Sequence, residues 1–183
     1  MTVRPANRPS QRPQVLHAAL HVLRNGDNLS LDAVARAAGL TKPGLLYHFP
    51  DKAALLTAVL QHVLDGYEES LVRLLPRADP SPRERMNAYL TWALTTPHDA
   101  ADLVMFSDPR LADEMNELWA ERMRHWVEPP GDLPEADRAR LNAVRLLAEG
   151  CWFADASNTL PLSPTDRAAV LELARTLLRG DGS

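Results

Sequence analysis

The stretch VARAAGLTKPGLLYHFPDK, residues 34–52, carries the strongest fold signal in this chain. Its first residues are small or apolar at helical spacing, and Gly39 then breaks the helix. Thr41 can cap a second helix through its hydroxyl, and Pro43 falls in the first turn of that helix, where a missing N–H costs nothing. We therefore predict two short helices joined by a tight turn, a helix-turn-helix.

The second of these helices is predicted to carry an outward face that fits the major groove of DNA. Leu45 and Phe49 would hold the helix on a core. Small outward residues permit close approach, and lysine, tyrosine and histidine side chains donate to phosphate oxygens or base edges. The outward residues are Lys42, Pro43, Gly44, Leu46, Tyr47 and His48, with Lys52 of the next helix as a further phosphate contact. Singly, Tyr47 could be packing and His48 a helix cap; as an ordered set they indicate nucleic-acid binding.

Apolar residues at three-four spacing predict an all-α chain of about nine helices. A first helix is lined by apolar residues from Val15 to Leu23 and ends at Gly26, and Ser30 caps the second helix. Prolines that follow capping residues mark most of the later helix starts. These later helices are predicted over about residues 51–75, 82–95, 98–106, 109–127, 134–158 and 164–179.

The charge distribution is uneven along the chain. Residues 1–50 contain six basic and two acidic residues, whereas the remainder contains 14 basic and 22 acidic residues. A basic head on an acidic body indicates that the head meets a polyanion, although chance clustering is the alternative. Cys151 is the single cysteine, which excludes an internal disulfide and a cysteine-based zinc site. No apolar run suits a membrane span or a secretion signal, so we expect a cytoplasmic protein.

The segment LSLDAVARAAGLTKPGLLYHFPDKAALLTAVL, residues 29–60, resembles the DNA-binding head of the tetracycline-repressor (TetR) family of transcriptional regulators. The matching features are a short helix ending in Ala-Gly, a Thr-Lys-x-Gly opening, Leu-Tyr-His-Phe and a following lysine. The resemblance is specific across roughly residues 12–64 and architectural beyond them. It implies that the residues in contact with phosphates or neighbouring bases are Thr41, Lys42, Tyr47, His48 and Lys52, and that Pro43 and Gly44 approach bases. Because proline cannot donate a hydrogen bond, readout at Pro43 would be apolar, for example against a thymine methyl.

The chain is therefore expected to have three parts. Residues 1–13 would be a disordered basic tail, whose Arg4, Arg8 and Arg12 either reach a minor groove or touch phosphates, or form a plain leader. Residues 14–50 would form the helix-turn-helix DNA-binding domain. Residues 51–183 would form a ligand-binding and dimerisation domain, with the helix over residues 51–75 connecting the two domains.

The C-terminal part is rich in large apolar side chains, since all four tryptophans lie after residue 90. Tryptophan and methionine suit an adaptable apolar cavity, although each residue singly could simply fill a core. The family resemblance favours a small-molecule pocket between the helices. The residues assigned to this pocket are Met86, Tyr89, Trp92, Phe106, Trp119, Met123, Trp126, Trp152, Phe153 and Asp155, with His98, His125 and Asn158 as further polar candidates.

The last two predicted helices favour a homodimer. The resemblance implies that they pair with their copies as a four-helix bundle, and a dyad-symmetric operator requires a two-fold protein with recognition helices roughly 34–36 Å apart. Packing within one chain is the alternative. The apolar sets are Leu141, Val144, Ala148 and Cys151 in the first helix, and Val170, Leu171, Ala174, Leu177 and Leu178 in the second.

Together these features predict a ligand-responsive repressor that binds a palindromic operator in double-stranded DNA and is released by a small, mostly apolar effector. The alternatives are a helical adaptor that binds protein and an enzyme that uses the body pocket. His17 and His21 lie four residues apart and could bind a metal ion, but no third ligand, nucleophile–base pair or glycine-rich phosphate loop is legible. We expect no enzymatic activity, no cofactor and no metal.

Overall fold

A computed structural model of the chain describes residues 11–180, and this part contains helices and no strands. The predicted all-α class is confirmed, and so is the number of helices within these residues. They are α1 (Arg12–Arg24), α2 (Leu31–Ala37), α3 (Lys42–His48), α4 (Lys52–Leu74), α5 (Pro82–Thr95), a 3-10 helix (Ala100–Phe106), α6 (Ala112–Val127), α7 (Glu135–Ala156) and α8 (Pro164–Arg179).

The chain forms two compact units that divide between Val59 and Leu60, inside α4. In the N-terminal unit α2 packs against both α1 and α3. Local signals set the helix ends: Gly26 follows α1 with a φ of 74°, and the Ser30 side chain accepts a hydrogen bond from Ala33 N. Positive φ suits glycine, and an N-cap hydroxyl satisfies one of the free N–H groups of the first turn.

The beginning of α1 differs from the predicted tail over residues 1–13, because the helix already starts at Arg12. Pro13 lies in the first turn, where proline is tolerated. The Arg12 guanidinium lies over the Phe49 ring, 4.6 Å from its centroid, and this cation–π contact gives the residue a place in the fold. Arg4 and Arg8, the other tail arginines, lie outside the described residues.

In the C-terminal unit α5 is the central helix, since it packs against α6, α7 and α8. Its first turn has a capping box: the Ser81 hydroxyl accepts from Glu84 N, and Glu84 Oε2 accepts from Ser81 N at 2.7 Å. Both α5 and α8 begin at the proline that the sequence indicated, Pro82 and Pro164.

The predicted helix start at Pro109 is wrong. The Asp108 side chain accepts from Arg110 N, and the Asp108 carbonyl accepts from Leu111 N, so residues 108–111 form a turn. The helix α6 begins after this turn, at Ala112. An aspartate that bonds its own following backbone favours a turn as readily as a helix cap, which is why the sequence signal was ambiguous.

Across residues 11–180, no helix has the length and apolar character needed to cross a membrane.

Candidate nucleic-acid interface and body clefts

The helix α3 is held by a cap at its start and by two buried side chains on one face. Thr41 Oγ1 accepts a hydrogen bond from Gly44 N at 3.2 Å, and Leu45 and Phe49 are fully buried. Gly39, with a φ of +68°, makes the turn that separates α2 from α3. Because one face of α3 is committed to the core, the opposite face is set outward.

The outward face of α3 carries Tyr47, whose side chain is the most exposed aromatic in residues 11–180, at 86%. The Tyr47 ring meets His48 edge to face at 5.2 Å, which orients both side chains in the same region. Pro43 is exposed, while Gly44, Leu46 and His48 are partly exposed. The structure therefore brings these predicted residues together within two turns of one helix.

The two predicted lysines have different surroundings. Lys42 Nζ forms an exposed ion pair with Asp32 Oδ2 at 3.0 Å. Such exposed pairs contribute little and are screened by salt, so the ammonium group can exchange Asp32 for a phosphate at small cost. Lys52 is half-buried in the first turn of α4. Asp51, one residue before it, accepts a hydrogen bond from Ala54 N at 2.8 Å and caps that helix.

Three positioning roles escaped the sequence analysis. Gln14 Nε2 donates to the Ala38 carbonyl at 2.8 Å, which ties α1 to the end of α2. Arg12 covers Phe49, and Asp32 holds Lys42. The Asp32–Lys42 pair spans 10 residues and the other two contacts span more. Helical periodicity covers only a few positions, so it could not predict these contacts.

Most of the aromatic and methionine residues assigned to a ligand pocket are core residues of the C-terminal unit. The Tyr89 and Trp92 rings stack at 5.5 Å, and the Tyr67 ring lies 4.5 Å from Trp92. Phe106 and Phe153 instead lie at the surface, 53% and 48% exposed. The predicted pocket residues that are buried are Met86, Tyr89, Trp92, Met123, Trp126 and Trp152.

Asp155, the predicted polar anchor, is neutralised within the chain. Both of its carboxylate oxygens accept from the Arg167 guanidinium at 2.7 Å, which links α7 to α8. The paired geometry is the strong, bidentate form of an ion pair. We conclude that Asp155 holds two helices together, and that its charge is already balanced.

His98 belongs to a polar network centred on Asp102. The Asp102 carboxylate accepts from Tyr67 OH at 2.7 Å and from Asp99 N at 3.0 Å, and it lies 3.2 Å from His98 Nδ1. Burial, with Asp102 beside it, raises the pKa of Tyr67 well above its usual value, so the phenol stays a hydrogen-bond donor. The other two polar candidates, His125 and Asn158, lie at the surface.

A cleft of about 470 Å³ lies between α6 and the first half of α7. Of the residues predicted to bind a ligand, Trp119 lines it. Its other lining residues are Ala120, Arg124, Val127, Glu128, Pro129, Gly131, Arg138, Asn142 and Arg145. The volume falls in the range of small-molecule sites.

The apolar sets predicted for a dimer interface mostly pack inside the chain. Leu141, Val144 and Ala148 of α7 are buried, as are Ala174 and Leu178 of α8. A different stripe of α7 is exposed, at the helical spacings of three and four. It consists of Ala143, Leu146, Gly150 and Phe153, and Leu173 and Leu177 are exposed on α8.

No group of three or more histidine, cysteine or carboxylate side chains in residues 11–180 is arranged to hold a metal ion. Cys151 has its pKa raised by burial, which makes its thiol less reactive.

Two protein-family models match the chain. The model described as "Bacterial regulatory proteins, tetR family" matches residues 15–59. The model described as "Tetracyclin repressor-like, C-terminal domain" matches residues 83–179, which is more than half of the chain. The two matches together span both structural units.

Individual relatives agree with the family models. The HTH-type transcriptional regulator EthR of Mycobacterium tuberculosis is 26% identical over 157 residues, covering 78% of this chain and 72% of that protein. A solved TetR-family regulator from Rhodococcus sp. has a TM-score of 0.69 at 19% identity, over 92% of this chain and 98% of that one. The multidrug binding protein EbrR, solved with malachite green, has a TM-score of 0.65 at 20% identity over the same shares. These two structures have the same fold as this chain.

Proposed function

Because the chain belongs to the TetR family of helix-turn-helix transcriptional regulators, we propose that it is a repressor that binds a palindromic operator as a homodimer and leaves it when a small molecule binds. The observation that supports DNA binding is the contrast between the two faces of α3. Leu45 on the inner face is fully buried, whereas Tyr47 on the outer face is almost fully exposed. Its proposed target is DNA, so the proposal places the protein in the cytoplasm. As a regulator it acts by binding, and we assign it no catalytic step.

In this proposal α3 enters the major groove with its N-terminal turn nearest the bases. Pro43 and Gly44 allow close approach there, and Gly44 leaves little room for a side chain, since a Cβ would lie 3.2 Å from Thr41 Oγ1. Lys42, Tyr47 and His48 donate to phosphates or base edges, with Lys52 as an additional phosphate contact. Thr41 caps the helix by accepting from Gly44 N, so it lies at the end of α3 that this proposal places nearest the bases.

The exposed apolar stripe on α7 supports the homodimer. Leu146 and Phe153 are seven residues apart on one face, and Gly150 between them permits two backbones to approach closely. Large exposed apolar side chains in such a row are typical of protein–protein contacts. A two-fold dimer would present two α3 helices to half-sites about one DNA turn apart, roughly 34–36 Å.

Release requires that the ligand prefer the protein conformation that does not bind DNA. A coupling free energy of about 1–3 kcal/mol suffices to change operator occupancy markedly. We place the ligand in the C-terminal unit and expect it to be mostly apolar, as the aromatic and methionine content of that unit suggests. EbrR, a protein of the same fold, was solved with malachite green bound.

The test starts from duplex fragments that the purified protein retains from a random pool. We expect Tyr47→Ala and Lys52→Ala to reduce binding of the selected fragment at least about tenfold, since each removes a contact to the DNA surface. Val72→Ala, which also shortens an exposed side chain but lies in the C-terminal unit, is the matched control. Unchanged affinity of both variants in a gel-shift assay refutes the assignment. A helical adaptor would show no salt-dependent affinity for duplex DNA at all.

A further inference from the structure

The cleft between α6 and α7 has a positive lining. Three arginines, Arg124, Arg138 and Arg145, line it together with Glu128, the one carboxylate among the described lining residues. Glu128 is already paired with Arg124 at 2.7 Å. The remaining two guanidinium groups therefore give the cleft an excess of positive charge, and an arginine stays charged at any physiological pH.

Within residues 11–180, neither of these two arginines donates a hydrogen bond to a carboxylate. Arg138 Nη1 donates to the backbone carbonyls of Gly131 and Leu133, at 3.1 and 3.2 Å. Arg145 lies 3.9 Å from Glu149, beyond hydrogen-bond distance. Burial raises the pKa of Glu149, and the neighbouring Arg145 acts in the opposite direction.

Two buried donors of the lining residues lack any hydrogen-bond partner. They are Trp119 Nε1 and Arg145 Nε, one from each of the two helices that form the cleft. Buried polar groups in folded proteins are nearly always paired, because an unpaired donor loses its hydration without compensation. Both groups can only donate, so the missing partner must be an acceptor.

From the positive lining, the unpaired donors and the apolar walls we propose that this cleft binds a small organic anion, a carboxylate or a phosphate ester on a flat apolar body. The anionic group would accept from Arg145 and Trp119, and the apolar body would lie against Ala120, Val127 and Pro129. This inference rests on the proposed function, because it makes the anion the effector. It adds an ionic anchor to the mostly apolar ligand expected from the sequence.

Three matched probes test the charge requirement: benzoate, phenyl phosphate and the neutral benzamide. Each is titrated into ¹⁵N-labelled full-length protein while the four tryptophan indole N–H signals are recorded, the signal that disappears in Trp119→Phe being that of Trp119. We expect saturable shifts of the Trp119 signal with one or both anions, and at least about tenfold weaker binding of benzamide. Equal binding of benzamide, or saturable shifts confined to other tryptophans, overturns the proposal. So does the absence of any saturable shift, since the donors then bind at most water.

Variants of Arg145 provide the second arm. Arg145→Gln should weaken binding of the preferred anion at least about tenfold, and Arg145→Lys, which keeps the charge but not the guanidinium fork, should weaken it less. Arg110→Gln removes an equal charge from a side chain that is 93% exposed and outside the cleft, and it should leave the affinity unchanged. Equal losses for Arg110→Gln and Arg145→Gln would mean that only net charge matters, which also contradicts a site. If Arg145→Gln fails to fold, the Arg145→Lys comparison decides.

The result of the anion-binding test can be distinguished from the result of the operator-binding test. Anion binding is measured without DNA, and operator binding is measured without anion. A shifted Trp119 signal with no DNA affinity would support the anion site and reject the repressor proposal. Operator binding with no Trp119 shift would retain the repressor and reject the anion site.

Discussion

Some side chains of α3 and its C-cap hold the helix on the core, and others face solvent, where they are available for recognition. Leu45 and Phe49 are buried, which fixes the roll of the helix, and Tyr47 is thereby turned to solvent. Which of these residues face the core and which face solvent could be predicted from the sequence, because neighbouring positions on a helix differ by about 100°. The Lys42–Asp32 pair was not readable, since its geometry depends on how α2 crosses α3.

We predict opposite effects on DNA affinity from the two sides of this pair. Lys42→Ala should weaken operator binding and reduce the salt dependence of the binding constant by about 0.9 for each phosphate that the lysine neutralises. Asp32→Ala should tighten binding severalfold, because it removes a negative charge near the phosphates and releases Lys42. Both variants should change the free energy of unfolding by less than about 1 kcal/mol, as the pair is exposed. Fluorescence anisotropy at several salt concentrations measures these effects; weaker binding by Asp32→Ala would show that Asp32 orients Lys42.

Individual helices owe their ends to short-range chemistry, which is why so many were predictable. Ser81-Pro82 and Ser163-Pro164 mark helix starts correctly, since the cap hydroxyl and the proline ring act within one turn. Asp108-Pro109 failed because its aspartate bonds a turn of its own. A capping residue followed by proline thus has two local outcomes, a helix start or a turn.

Replacing glycine by alanine should change the free energy of unfolding in opposite directions at two positions. Gly39 adopts a φ of +68°, so Gly39→Ala should lower the free energy of unfolding by about 1–2 kcal/mol through backbone strain alone, since nothing lies near the added Cβ. Gly66 lies within α4, also with open space around a Cβ, and Gly66→Ala should raise stability by about 0.5–1 kcal/mol through helix propensity. Chemical denaturation of both variants measures this; a stabilising Gly39→Ala would contradict the left-handed turn.

The capping box of α5 should make stability depend on acidic pH. Hydrogen bonds from Ser81 and Arg77 lower the pKa of Glu84 from 4.5 to about 2. Because the folded pKa lies below the unfolded one, the stabilisation is complete above about 4.5 and is lost as the pH falls towards 2. We expect the stability difference between the wild-type protein and Glu84→Gln to shrink over this window, measured by urea denaturation at about pH 6 and about pH 3. Glu172→Gln is a second case, since a hydrogen bond from Arg179 also lowers the pKa of Glu172 and its stability difference should shrink in the same direction.

For the molecule as a whole, α7 has two apolar faces with different surroundings. Leu141, Val144 and Ala148 pack within the chain, and Leu146 and Phe153 remain outside. Both sets have helical spacing, so sequence periodicity alone could not separate an intrachain face from an interchain one. The separation follows from where α5 and α8 lie against α7.

We predict that Leu146→Glu converts the proposed dimer to a monomer, because it places a charge in the proposed apolar contact. Stability of the single chain should change little, within about 0.5 kcal/mol, since the Leu146 side chain is 60% exposed. Val72→Glu, at a similarly exposed apolar residue of α4, should leave the dimer intact. Analytical ultracentrifugation measures the mass; a dimer that survives Leu146→Glu would place the interface elsewhere.

The helical class and the helix-turn-helix could be derived from the order of residues, because caps, glycine turns and three-four spacing act over a few positions. Which large side chains became core was settled by the packing of the folded chain. That packing buried Trp92 and Met123, exposed Phe106 and Phe153, and paired Asp155 with Arg167. It also placed Trp119 and Arg145, far apart in the chain, along the same cleft. The reason is physical: burial and charge pairing depend on how helices cross, and helix crossing is a property of the assembled chain.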